Sequence, residues 1–106
     1  MVVLNHLEPQ RVFHFFEELC AIPHGSGNTK AVSDWLVDFA KARGLRYVQD
    51  QLNNVVIFQD AAPGYESAEP VILQGHMDMV CEKTPEKVFH FETDPLQLQV
   101  RDGWVM

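Results

Sequence analysis

The sequence predicts an α/β fold in which two amphipathic helices precede a partial, mixed sheet. Three observations carry that expectation. Apolar residues recur at helical spacing in two stretches of the N-terminal half. Two short strand-forming runs, 45–49 and 54–59, flank the polar turn Asp50-Gln51-Leu52-Asn53. The apolar start of Val71-Ile72-Leu73-Gln74-Gly75-His76 reads as a strand buried on both faces, as in the middle of an α/β sheet. The order helix, helix, strand, strand, strand belongs to that class.

The first helix is expected to begin near Pro9, whose fixed φ and missing N–H suit a first helical turn. Val12, Phe13, Phe16, Leu19 and Cys20 then share one face, with Gln10, His14, Glu17 and Glu18 on the other. Pro23 stops the helix. His24-Gly25-Ser26-Gly27 is a loop, and Asn28 is a suitable cap for the second helix. That helix should bury Val32, Trp35, Leu36 and Phe39 and turn Lys30, Asp34, Asp38 and Lys41 to water. Gly44 fits the left-handed residue just past its end. After the first two strands, a polar connection from Asp60 to Glu69 leads to the apolar strand. The chain closes with 96–101 and 104–106 paired around Asp102-Gly103. A central strand with so few partners leads to the expectation that the rest of its sheet lies downstream.

With 106 residues, 46% of them hydrophobic, and seven Phe, the composition is that of one globular domain with a modest core. No uncharged apolar run reaches the length of a membrane span, and the first six residues lack the basic and apolar regions of a signal peptide. The expected setting is cytoplasmic, without a membrane partner. A net charge of −7 repels phosphate backbones and argues against nucleic acid. Cys20 and Cys81 lack CxxC spacing and read as reduced thiols.

The chemistry centres on Gly75-His76-Met77-Asp78-Met79-Val80. In open α/β sheets functional groups collect beyond the carboxyl ends of strands, and His76 stands at such an end. In extended backbone Asp78 projects to the same side as His76. A carboxylate that accepts one imidazole N–H fixes the tautomer and frees the other nitrogen for a metal. The tripeptide alone is common enough to arise by accident, the bland reading being a satisfied histidine beside an exposed acid.

The segments LEPQRVFHFFEELCAIPHGSGNTKAVSDWL, DQLNNVVIF, PVILQGHMDMVCEK and FETDPLQLQVRDGWV together resemble one branch of the dizinc peptidases that include aminoacylases, carboxypeptidases and cytosolic dipeptidases. The branch is that of the aminoacyl-histidine dipeptidases. The resemblance implies that residues 1–106 form the N-terminal portion of a zinc-exopeptidase-like, three-layer αβα catalytic domain. It implies that His76 ligates one of two zinc ions and that Asp78 is the catalytic acid beside it; cobalt or manganese would suit similar ligands. It also implies short peptides as substrates, dipeptides with C-terminal histidine among them. The bridging aspartate, the general-base glutamate and the remaining ligands come later in the family's sequences, so this chain alone is expected to be inactive. Thr29 departs from the family, whose members tend to carry an acidic residue there.

Other pairs read more plainly. His24 shapes a glycine-rich turn, His14 and Glu18 form a solvated helical pair, and His90 with Glu92 lacks a preceding buried strand. Gly25-Ser26-Gly27 follows a helix and lacks the Lys of a phosphate-cradling loop. Two other functions stay open at this point. One is a non-catalytic α/β module whose unfinished sheet offers an edge for strand pairing or a homodimer. The other is a small mononuclear metal protein using His76 with Asp78.

Overall fold

Two helices open the chain. The computed structural model, which describes residues 2–106, places helix α1 at Gln10–Cys20 and helix α2 at Lys30–Ala42. The carbonyl of Pro9 accepts the N–H of Val12 at 3.1 Å and of Phe13 at 3.3 Å, which starts the first turn of α1. Helix α2 ends as the sequence requires. Gly44 takes φ +66°, a left-handed geometry that costs glycine little, and its N–H and that of Leu45 satisfy the carbonyls of Lys41 and Ala40. The start of α2 differs from expectation. Thr29 rather than Asn28 is the cap, no side chain accepts from the first turn, and no acidic residue stands there. Asn28 is used elsewhere: its amide donates to the Glu92 carbonyl at 3.3 Å, tying this loop to the later chain.

Strands β1 (Arg46–Gln49) and β2 (Val55–Phe58) pair antiparallel, with Arg46 opposite Phe58 and Gln49 opposite Val55. Their turn is built by Asp50, whose carboxylate accepts the N–H groups of Leu52 and Asn54 at 2.9 and 2.8 Å. Strands β3 (Val100–Arg101) and β4 (Trp104–Val105) form a second antiparallel pair around Asp102 and Gly103. Both turn residues have positive φ, 52° and 79°, as a tight hairpin demands. This pair is shorter than the sequence suggested, because Leu96 gives its N–H to the Cys20 carbonyl at 2.9 Å instead of to a strand partner.

The core is small: Leu4, Cys20, Val32, Val37 and Ala40 are buried, with Ser33 among them. The hairpin of β1 and β2 packs on α2, and this selects the buried stripe as Val32, Ser33, Val37 and Ala40. Trp35, Leu36 and Phe39, expected in that stripe, are only half-buried. Trp35 and Phe39 join Phe15 in an edge-on aromatic cluster, with the Arg43 guanidinium 3.6 Å from the Phe39 ring centre. Ser33 is the fastening point of the hairpin. Its hydroxyl donates to the Asn53 carbonyl at 2.9 Å and accepts from the Gln49 amide at 2.8 Å. A polar residue inside a core is tolerable because both bonds are made.

Helix α1 departs further from its amphipathic reading. Val12 and Phe16 are exposed, because no element among the described residues covers that side. Glu17, expected in water, instead accepts the N–H groups of Val3 and Leu4 at 2.7 and 2.8 Å and seats Leu4 in the core. Those backbone donors, Leu4 first and then Val3, hold the Glu17 carboxyl below its ordinary range.

The apolar run departs furthest from expectation. Val71, Ile72 and Leu73 are 83, 88 and 94% exposed and form no strand. A strand needs a neighbour to satisfy alternate N–H and C=O groups. Among the described residues no segment lies beside 71–74, so the run that reads as a central strand stands unpaired.

Two outcomes follow for stability. Ser33→Ala leaves the Asn53 carbonyl and the Gln49 amide without their partner and should lower unfolding free energy by about 1 kcal/mol in urea titrations. Glu17 stabilises the fold above its ordinary pKa near 4.5, and that contribution is lost as pH falls through its lowered folded value. The stability gap between the unsubstituted chain and Glu17→Gln should therefore be widest above pH 4.5 and close on acidification.

Candidate metal-ligand site

One parallel bridge fixes the His76–Asp78 segment against the loop between α1 and α2. Met79 donates its N–H to the His24 carbonyl at 2.9 Å, and its own carbonyl accepts from Ser26 N–H at 3.0 Å. Gly25 lies opposite Met79 in this bridge and is buried. A methyl on Gly25 would stand 2.5 Å from Cys81 Sγ, so the close approach of the two segments explains the glycine.

The bridge positions the two residues singled out by the sequence. His76 Nδ1 lies 2.8 Å from Asp78 Oδ1, the contact expected of residues two apart in extended backbone. The second oxygen, Oδ2, accepts from the Ser26 hydroxyl at 2.6 Å. The Ser26 hydrogen bond first, and that from His76 second, hold the Asp78 carboxyl below the usual carboxylate range. Asp78 is thus ionised at neutral pH and can only accept hydrogen bonds. The proton of the shared bond therefore sits on Nδ1. In the neutral ring this leaves Nε2 with a free lone pair on a side chain that is 81% exposed.

The remaining candidates follow their plain readings. His24 Nδ1 lies 2.6 Å from the Ile22 carbonyl within its own turn. His14 and Glu18 meet at 3.2 Å on the solvated face of α1. His90 pairs with Asp94, at 3.3 Å, rather than with Glu92. Cys20 is buried, and burial pushes its thiol up, away from nucleophilic character. Ser26 is the residue that sequence reasoning passed over as a site residue. It lies 52 positions from Asp78, and no spacing rule connects a loop serine to an acid so far along the chain.

The comparisons with known proteins give the arrangement its context. No family model matches the sequence. The chain is 36% identical over 105 residues to the cytosol non-specific dipeptidase of Escherichia coli (strain K12), a match that takes in 99% of this chain and 22% of that protein. The crystal structure of aminoacylhistidine dipeptidase from Vibrio alginolyticus superposes with a TM-score of 0.89 at 34% identity, over 98% of this chain and 21% of that one. The chain is homologous to these dipeptidases. It spans about a fifth of the length of each. The two helices and small antiparallel pairs fit an α/β N-terminal piece of the dipeptidase fold.

Among the described residues no group of three or more His, Cys, Asp or Glu comes together. A catalytic zinc generally takes three protein ligands and keeps a position open. The dipeptidase-like chain therefore presents one exposed histidine paired with an acid, and His76 with Asp78 does not make a closed metal site. A single imidazole nitrogen with a carboxylate behind it is a donor set that suits a metal ion as one ligand among several, and two such residues fall short of three protein ligands.

Gly25→Ala should loosen the bridge by forcing the new methyl against Cys81. Amide hydrogen exchange at Met79 is expected to speed up by roughly 5-fold, equivalent to about 1 kcal/mol. Adding Cys81→Ala, which removes the opposing sulfur, should restore the slower exchange.

Proposed function

We propose that this segment serves a cytoplasmic, zinc-dependent dipeptidase that hydrolyses short peptides, dipeptides with C-terminal histidine among them. The observation that carries this reading is the His76–Asp78 bond: it engages Nδ1 and leaves Nε2 as the unengaged nitrogen of an exposed ring, in a chain that aligns with dipeptidases along nearly its whole length. Other support is coarser. One relative is named as a cytosol dipeptidase, and among the described residues no helix is long and apolar enough to cross a membrane. The preference for C-terminal histidine draws on the name of the aminoacylhistidine dipeptidase that shares this backbone.

In this reading His76 would hold one zinc of a pair through its free ring nitrogen, and cobalt or manganese would suit the same nitrogen and oxygen donors. The chemistry such a metal would supply when bound is a water of lowered pKa and polarisation of the peptide carbonyl. The residues of this chain orient and hold. Asp78 keeps the His76 proton on Nδ1, fixes the ring plane, and adds negative charge behind the ligand, which raises its basicity. Because His76 and Asp78 supply only part of a coordination sphere, the other ligands and the general base belong to further sequence of the dipeptidase. The isolated chain is then inactive. A homodimer is the assembly we assign to the complete protein, with the unpaired apolar segment of 71–74 covered within it.

Hydrolysis of an Xaa-His dipeptide with zinc, run on this chain and on the product of the complete reading frame, tests the reading. Activity in the longer protein alone is expected, reduced roughly 10- to 100-fold by Asp78→Asn and at least as much by His76→Ala, in line with the loss of an orienter or of the ligand itself. Absence of activity in both proteins would contradict the dipeptidase reading, and turnover by the short chain would contradict its division of labour.

A further inference from the structure

We propose that Ser26 is a positioning residue for the His76–Asp78 pair, setting which imidazole nitrogen is free for a metal; the proposal deepens the metallopeptidase reading and rests on it. An exposed carboxylate held by one partner rotates about its last side-chain bond, and water competes for both of its oxygens. His76 alone would leave Asp78 in that condition, since its ring is largely solvent-exposed. A second contact changes this. With the Ser26 hydroxyl 2.6 Å from Oδ2 and His76 Nδ1 2.8 Å from Oδ1, both ends of the carboxylate are fixed, and its plane with them.

The serine hydroxyl can hold Asp78 because it is itself held. Ser26 N–H donates to the Met79 carbonyl at 3.0 Å, so the Cα from which the hydroxyl projects is pinned to the segment carrying Asp78. Gly27, at φ +82°, completes the turn immediately after it. The hydroxyl also lies 3.3 Å from the Met79 carbonyl, but that oxygen already receives the Ser26 amide proton. A hydroxyl has one proton, and the shorter approach to an ionised acceptor takes it. The line of influence runs from the loop backbone to Ser26 Oγ, to Asp78, to the proton on His76 Nδ1, and so to the free pair on Nε2.

A merely structural serine would act differently. The clamp on Met79 is made by main-chain groups of His24 and Ser26, which do not need the hydroxyl. Removing the hydroxyl should therefore leave the bridge in place and release the carboxylate. That separation makes the role testable without reference to turnover.

The test records long-range ¹⁵N–¹H ring correlations of His76 in the full 106-residue chain, without metal, at a pH where the ring is neutral. The unsubstituted chain should show the Nδ1–H tautomer in excess. Ser26→Ala should shift the ring toward Nε2–H while Met79 amide exchange stays slow, and Ser26→Thr, which keeps a hydroxyl, should retain the original tautomer. In the complete dipeptidase, zinc competition against a chelator should show roughly 3- to 10-fold weaker binding for Ser26→Ala and little change for Ser26→Thr. An unshifted tautomer in Ser26→Ala, or no Nδ1–H excess to begin with, would overturn the proposal. If the unsubstituted complete protein bound no zinc, the metallopeptidase reading would fall by itself, and the ring signals would still decide whether Ser26 orients the pair.

Discussion

Two backbone hydrogen bonds on Met79 hold this site together. One comes from Met79 N–H to His24, the other from Ser26 N–H to the Met79 carbonyl. Without them the segment carrying His76 and Asp78 would lack its backbone link to the helical part of the molecule, because the preceding apolar run is unpaired. With them, a loop that ends one helix and starts the next becomes one wall of the site. The buried Gly25 lets the two backbones meet, and Ser26 follows at the position from which a hydroxyl reaches the acid.

The rest of the molecule is open in a way that physical scaling makes plain. The chain exposes 8694 Å², where a folded monomer of this mass exposes about 6,000 Å². Its radius of gyration is 16.6 Å, against about 13 Å for a compact chain of this length. The excess includes Val71, Ile72 and Leu73, which carry the apolar character of an interior strand and meet water on all sides. Apolar surface of that kind marks a face meant for contact. The His76 side chain, 81% exposed, is open to solvent in the same way.

Much of the fold was legible in the sequence where the controlling forces are local. Gly44 past α2, the Asp50 turn and the Asp102-Gly103 hairpin all follow from single-residue backbone preferences, and all are found. Long-range packing was less legible. The buried face of α2 keeps Val32 as expected but turns toward Ser33, Val37 and Ala40, because the hairpin of β1 and β2 fastens at Ser33, and helical period alone offers several overlapping stripes. Glu17 was read as a solvated acid because nothing local announces that two amides thirteen and fourteen residues away will converge on it. The apolar run 71–74 reads as a buried strand in the sequence and forms no strand, because a strand is a property of a pair and no partner lies beside it among the described residues. The site divides the same way: His76 and Asp78 stand two apart in sequence and pair by the period of extended backbone, whereas Ser26 enters only through the three-dimensional bridge.

Zinc stoichiometry by equilibrium dialysis tests the central claim most directly, comparing this chain with the product of its complete reading frame. The half-site account predicts two zinc ions held by the longer protein and no tight stoichiometric zinc on the 106-residue chain. Tight binding of one zinc by the short chain, abolished by His76→Ala, would contradict it, because the coordination sphere would then be closed within these residues alone.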